Sequence, residues 1–295
     1  MRVKYIIIPV LFNLMKIDLH VHTYFSDGTH SPSKVVEMAE NIGVSYLAIC
    51  DHDVITGVEE ALKSSQGKKV KVVPGIEITS RVSCSDKEVH IVGLYLNPNN
   101  KELINFSENI QNFKLDKTTK KIIKLNEALK TDISLEDLRK KTKGVPGSAH
   151  VWMVLVDKGF AKDIKSARDL TVKYGSIPED GSNNRIFARE AIKMIHNSGG
   201  IAVLAHLAAY KNEKKFVSFQ EQEDLIKELK GYGMDGIEIF IPQVSNEDLE
   251  FGKKMALKYN LLLSGGSDFH DEVFIPQNKI GFLDIEKKEI SVLRD

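Results

Sequence analysis

His20 and His22 stand two apart in the run Lys16-Ile-Asp-Leu-His-Val-His22. On a strand, side chains two apart project to the same side, so both imidazoles can bind one ion. The pair has company. Asp27 sits in the Ser26-Asp27-Gly28 turn, His52 in Asp51-His52-Asp53, and Glu77 after Pro74-Gly75-Ile76. His90 and His150 follow, and Asp268 and His270 come after Gly265-Gly266-Ser267. Six of the nine histidines in the chain fall in this series. Imidazole and carboxylate are the donor mix that suits zinc, manganese and iron. Nine such residues exceed what one ion can hold, which implies a cluster, and clustered ions mostly activate water against phosphate esters.

The elements that must position these residues read as strand followed by helix. Ile17–Val21, Ser45–Cys50, Val70–Val73, Val89–Leu96, Ile201–Ala205, Gly236–Phe240 and Leu261–Ser264 are short apolar runs rich in valine, isoleucine and leucine, as expected of strands covered on both faces. A helix opens near Pro32 with Val35, Val36, Ala39 and Ile42 on its apolar face, and Thr56 is placed to cap the next one. Helices over Gln222–Lys230 and Asn246–Tyr259 separate the later strands. About seven strands with crossover helices argue for an α/β barrel or a doubly wound sheet. In barrels, catalytic groups collect at the C-terminal ends of strands, which is where most of the series lies. Residues from about Asn100 to Arg189 break the rhythm. They read as a long helix over Lys101–Leu129, shorter ones around Leu135–Lys141, His150–Lys158 and Ile164–Lys173, and a loop over Gly175–Arg185. The expected division is an N-terminal extension (1–15), a first barrel part (16–99), a helical insertion (100–189) and a second barrel part (190–295). The insertion is either a substrate lid or a packing subdomain.

Forty-one basic and forty-one acidic residues cancel, which disfavours a broad surface for duplex nucleic acid. Cys50 and Cys84 are the only cysteines, read as buried apolar residues in a reducing, cytoplasmic protein. The apolar run Tyr5–Phe12 is too short to span a bilayer, which takes about 20 residues, so no membrane partner is expected.

Taken together, the motifs His20-Val-His22-Thr23 with Ser26-Asp27-Gly28, Asp51-His52-Asp53, Gly75-Ile76-Glu77, His90-Ile-Val-Gly93 and Ser267-Asp268-Phe269-His270 resemble those of the polymerase and histidinol phosphatase (PHP) family of metal-dependent phosphoesterases. The resemblance runs from about Lys16 to Leu283 and is closest to the branch that hydrolyses nucleoside 3′,5′-bisphosphates and the 5′ ends of short RNA. It implies a distorted (β/α)7 barrel with a helical insertion and two or three divalent ions, manganese before iron or zinc. By that resemblance His20, His22, Glu77 and Asp268 hold a first ion. Glu77 bridges to a second, held by His90 and His150, and Asp27, His52 and His270 hold a third. The ions would supply hydroxide for attack on phosphorus. His206 matches the family's Ala-His-Pro element, with Leu207 in place of proline, and is the candidate phosphate ligand or general acid. Asp53 is the candidate for orienting His52.

The segment Gly147-Ser148-Ala149-His150-Val151-Trp152 lacks the arginines that the family places around its histidine. Arginine forks are the usual phosphate grips, so a site for a second phosphate is not assumed. Arg81, Arg185 and Lys173 are read as solvated surface. Trp152, Phe187 and Tyr210 are weighed as base-stacking rings against core residues, and His30 and His196 as structural. The expected substrate is a small nucleotide or short single-stranded RNA. Within enzymes, the alternative is a histidinol-phosphate-type or other small-molecule phosphomonoesterase. Amidohydrolase chemistry is disfavoured because no lysine sits at a suitable strand end. Outside enzymes, the alternative is a degenerate, non-catalytic binding module of the same fold.

Overall fold

The structure is a computed structural model and describes residues 14–83, 87–176, 185–212, 215–271 and 277–294. Cys84 and all of the expected extension before Leu14 lie outside the described residues. The chain runs β1 (Leu14–Val21), α1 (Pro32–Asn41), β2 (Val44–Ile49), α2 (Gly57–Ser64), β3 (Lys71–Arg81) and β4 (Glu88–Leu94). Four helices follow: α3 (Lys101–Leu129), α4 (Leu135–Arg139), α5 (Ser148–Asp157) and α6 (Ile164–Tyr174). The second half is β5 (Ile186–Phe187), α7 (Ala188–Asn197), β6 (Ile201–Leu204), α8 (Ala209–Asn212), α9 (Phe219–Gly231), β7 (Gly236–Phe240), α10 (Asn246–Tyr259), β8 (Leu262–Gly265) and β9 (Leu283–Glu286).

The sheet order is β8-β7-β6-β4-β3-β2-β1-β9, with β5 beside β3. The segment after β8 curls back onto β1. The His22 amide donates to the Phe269 carbonyl (2.8 Å) and the Asp268 amide to the His20 carbonyl (2.9 Å). The result is a nearly closed α/β barrel, as the sequence leads one to expect. Gly266 permits the closure, because a Cβ there would lie 2.4 Å from the His20 Cβ.

Two features depart from a uniform crossover barrel. Residues 82–87 are too few for a crossover helix, so β3 and β4 form an antiparallel pair, and β4 is also antiparallel to β6. The sheet also starts earlier than expected. Leu14 and Met15 pair with Glu286 and Ile285 of β9, an antiparallel strand absent from the expected set. The main core lies between the sheet and its helices and holds Ile76, Ile78, Ile91, Leu94, Val203, Leu204 and Ile237 among others. Cys50 is fully buried there, as expected. Thr56 precedes α2 but its side chain makes no cap hydrogen bond, because its own backbone is already helical.

Helices α3 to α6 build a small core of their own from Ile122, Leu125, Ile133, Leu138, Val151, Val154, Leu155 and Ala167. They grip the barrel at the turn that carries Asp27. The Thr142 hydroxyl donates to the Tyr24 carbonyl at 2.6 Å, and the Lys143 and Gly144 amides donate to the same oxygen.

Asp18 joins the two ends of the barrel. Its fully buried carboxylate accepts from the Ser267 amide (2.8 Å), the Ser267 hydroxyl (2.6 Å) and the Gly281 amide (2.7 Å). Asp18→Ala would leave two buried amides unpaired, at about 1–3 kcal/mol each. We expect a loss of roughly 3 kcal/mol or more in urea unfolding. A change below about 0.5 kcal/mol, the range of ordinary surface substitutions, would contradict this account of barrel closure.

Candidate metal centre

Eight of the nine predicted ligands converge at one end of the barrel. Among the described residues, three sets of donor atoms lie mutually within 4.8 Å: His20, His22, Glu77 and Asp268; His22, Asp27, His52 and His270; and His52, Glu77 and His90. His90 belongs near the beginning of β4, not at a strand end. Because β4 runs antiparallel to its neighbours, its beginning lies where the parallel strands finish, and His90 sits opposite Thr79 of β3. Asp53, His206 and Asp268 have φ of +60°, +31° and +51°. Backbone strain of this kind, held by surrounding structure, concentrates at functional sites.

The donor set fits divalent cations. His20 Nε2, His22 Nε2, Asp27 Oδ1, His52 Nδ1 and Glu77 Oε2 are buried and have no hydrogen-bond partner. Buried polar atoms without partners are rare in proteins, and here five share one cluster. His52 Nδ1 approaches Glu77 Oε2 to 2.9 Å without hydrogen-bond alignment, as two ligands of a common ion would. Outer partners fix the rings. His20 Nδ1 faces Glu238 Oε2 at 3.1 Å, and His270 Nδ1 faces the Asp268 carbonyl at 2.9 Å. Each contact favours a proton on Nδ1, so Nε2 is the atom turned toward the centre.

The electrostatics agree. Burial alone would raise Asp27, Glu77 and Asp268, yet the surrounding imidazoles hold all three below the usual carboxylate range. Burial, reinforced by the charges of His270 and His52, pushes His22 down to about 3, so its ring stays neutral. Burial also pulls on His90 and His270, but Glu77 lifts the first to about 10, and Asp27 and Asp268 lift the second to about 10.

Other expected residues land as follows. His206 is buried, with Nε2 3.1 Å from Glu77 Oε1 and 3.3 Å from His90 Nδ1. Asp53 does not touch the His52 ring. Its carboxylate accepts from the Thr79 amide at 2.7 Å and pairs with Lys114 of α3 at 2.8 Å, while Lys114 also donates to the His52 carbonyl. His150 falls in none of the three sets. Its Nδ1 accepts from the Gly147 amide at 2.9 Å, so Nε2 carries the proton. Tyr210 is core, edge-on to His206, and Phe187 lies under Arg81. His30 stacks on Phe269 and His196 pairs with Asp235, both structural. Arg185 is not free surface. It pairs with Glu88 at 2.8 Å and faces the same cavity as the centre.

The sequence reading missed three groups. Glu238 lies in the middle of β7, and besides meeting the His20 ring it accepts from the His206 amide at 2.8 Å. A carboxylate inside the otherwise apolar strand Gly-Ile-Glu-Ile-Phe was the available signal. Asp51 anchors the Asp27 turn through Thr23 and Ser26. The third group is the lysines of α3, which line the cavity beside the centre.

A PHP-domain model matches residues 18–239. The chain belongs to the PHP family. It is 31% identical to a 5′-3′ exoribonuclease of Haemophilus influenzae over 86% of this chain and 90% of that one. It is 28% identical to a 3′,5′-nucleoside bisphosphate phosphatase of Chromobacterium violaceum, over 87% of this chain and 88% of that one. A solved structure from Bifidobacterium adolescentis, assigned as a metal-dependent phosphoesterase, superposes with a TM-score of 0.79 at 26% identity, covering 93% of this chain and 94% of the other. Fold, ligand set and kinship agree on a metal-dependent phosphoesterase. Among the described residues no helix is long and apolar enough to cross a membrane.

Loss of an outer partner of a metal ligand typically weakens binding about 10–100-fold. Glu238→Ala is therefore expected to weaken manganese binding by that factor with the fold intact, as read by titration of the metal-free protein. Saturating manganese should raise the unfolding midpoint of the parent protein, by the equivalent of about 2.7 kcal/mol at a hundred times Kd. An unchanged midpoint would remove the centre from consideration.

Proposed function

We propose that this phosphoesterase hydrolyses a phosphate ester of a small nucleotide, either a nucleoside 3′,5′-bisphosphate or the 5′ end of a short single-stranded RNA. The observation that carries this reading is the shape of the cavity. It measures about 420 Å3, within the range of small-ligand sites. Asp27, His52 and His90 form one wall, and Phe113, Lys114, Lys117, Lys121 and Trp152 face them from the insertion. A phosphate on the first wall places the rest of a nucleotide against cations and aromatic rings on the second. The insertion is thus read as part of the substrate site rather than as packing alone. The two named relatives act on such substrates.

The ions we assign are two or three, with manganese as the expected metal. His20, His22, Glu77 and Asp268 would hold one; His22, Asp27, His52 and His270 another; His52, Glu77 and His90 a third. Such ions lower the pKa of water toward ~7 and neutralise charge that develops on phosphoryl oxygens. The protein does the rest. Glu238 holds the His20 ring and the His206 backbone in place. To His206, beside Glu77 and His90, we assign the holding or delivery of a proton at the phosphate oxygens. The insertion lines the cavity with side chains of α3 and α5. With one buried cysteine, one other in the chain and no scaffold of disulfides, we place the protein in the cytoplasm.

The test is phosphate release with manganese from adenosine 3′,5′-bisphosphate, 5′-AMP, 3′-AMP, histidinol phosphate and a 5′-phosphorylated oligoribonucleotide. Preference for the bisphosphate or the oligonucleotide is expected. Turnover of histidinol phosphate alone would reject the nucleotide reading. His20→Ala and Asp268→Asn are each expected to lower kcat at least about 1000-fold, since removing a centre that stabilises transition-state charge costs several kcal/mol. Their circular dichroism should match the parent. Full activity in either variant would overturn the assignment of the centre.

A further inference from the structure

Two clasps join the helical insertion to the barrel, and both close on loops that carry ligands of the same donor set. The first holds the turn with Asp27. The Thr142 hydroxyl at 2.6 Å and the Lys143 and Gly144 amides at 3.1 and 3.2 Å all donate to the Tyr24 carbonyl. Gly144 also packs so tightly on the turn that a Cβ there would stand 1.9 Å from the Phe25 oxygen. No side chain fits that space, so any other residue at this position must push the insertion and the turn apart. The second clasp holds the loop with His52. Lys114 of α3 pairs with the buried Asp53 carboxylate at 2.8 Å and donates to the His52 carbonyl at 3.2 Å. Asp53 has a φ of +60° and depends on such neighbours to keep it.

Asp27 and His52 are half of the set His22, Asp27, His52 and His270. The set of His20, His22, Glu77 and Asp268 is built differently. Its side chains take their polar partners from the barrel, among them Glu238, His90, His206 and His270. A ligand borne on a loop binds an ion well when the loop is already held in place. Ordering the loop at the moment of binding costs about 1–2 kcal/mol per residue in backbone entropy. The clasps supply that order to one set and not to the other.

We propose that the insertion sets the affinity of the ion at His22, Asp27, His52 and His270 through Lys114, Thr142 and Gly144, while the ion at His20, His22, Glu77 and Asp268 binds independently of it. The inference rests on the assignment of these sets to ions and adds a division of labour between them. Thr142 and Gly144 are positioning residues that act through the Asp27 turn. Lys114 acts through the His52 loop, and so also reaches the set His52, Glu77 and His90. The coupling is reciprocal, as linkage requires: the ion favours the docked insertion by the factor by which docking strengthens the ion.

The experiment is calorimetric titration of the full-length, metal-free protein with manganese, scored for the number of ions and the Kd of each. Gly144→Ala and Thr142→Val are each expected to weaken one manganese by roughly tenfold or more, the usual effect of losing the support behind a metal ligand, and to leave another unchanged. Equal weakening of every ion, or of none, overturns the proposal. Asp27→Asn shows which ion is concerned. In that background Gly144→Ala should cause no further loss, whereas in Asp268→Asn its effect should persist. Additive losses with Asp27→Asn overturn the assignment. Should Gly144→Ala lower the circular dichroism signal, Thr142→Val and Lys114→Met decide singly, and unchanged manganese affinities in both overturn the clasp.

Hydrogen exchange reads the coupling from the other side. Saturating manganese is expected to slow exchange at the Lys143 and Gly144 amides several-fold in the parent and not in Asp27→Asn. Exchange indifferent to the metal removes the reciprocity and the proposal with it. The underlying readings fail separately. A parent that binds a single manganese ion or none rejects the ion assignment together with the clasp. Several ions that ignore all three substitutions reject the clasp and leave the metal centre and the proposed reaction standing. A clasp-dependent ion without turnover of any nucleotide upholds the inference and rejects the proposed substrate.

Discussion

One buried carboxylate organises this protein. Glu77, fully buried in the middle of β3, meets nitrogens of five histidines: His52 at 2.9 Å, His90 at 3.0 Å, His206 at 3.1 Å, and His20 and His22 at 3.4 Å. A carboxylate cut off from water is costly unless positive charge and hydrogen bonds surround it. Four strands or strand ends, of β1, β2, β4 and β6, must therefore deliver five imidazoles to one point, and the barrel is the arrangement that does so. Divalent ions between these groups would satisfy Glu77 and the unpartnered ring nitrogens at once.

A ring of buried carboxylates outside the centre keeps the geometry fixed. Glu238 holds His20 and His206, Asp51 holds the turn that presents Asp27, and Asp18 ties β1 to the segment bearing Asp268. Each spends its acceptors mainly on amides and hydroxyls of neighbouring loops, which locks ligand-bearing segments whose backbone is itself strained at Asp53, His206 and Asp268. Asp53 performs a related task at longer range. Through Lys114 it fastens α3 to the loop that carries His52, so the insertion that walls the cavity is mechanically joined to the metal centre.

The cavity has two walls of opposite character. The barrel side is rich in carboxylate and imidazole and suits cations. The insertion side presents the ammonium groups of Lys117 and Lys121 and the rings of Phe113 and Trp152. The phosphorylated substrate proposed above would meet both walls.

Much of this was legible in the chain. Ligand types, their spacing and their place at the ends of apolar runs determined the family, the α/β barrel and eight residues that meet in space, because period-two strands and short turns fix local geometry. α3 over Lys101–Leu129 and α10 over Asn246–Tyr259 were likewise legible to the residue. Tertiary structure alone decided the rest. The direction of β4 depends on a connection too short for a helix, and that direction brings His90 into the centre. Glu238 and Asp18 read as isolated acids in apolar strands until the His20 ring meets the first and the Ser267 and Gly281 amides meet the second, each from more than 200 residues away. The lysine-bearing face of α3 carries no such signal, because sequence records charge but not what faces it. Only the docking of the insertion turned that face toward the metal centre.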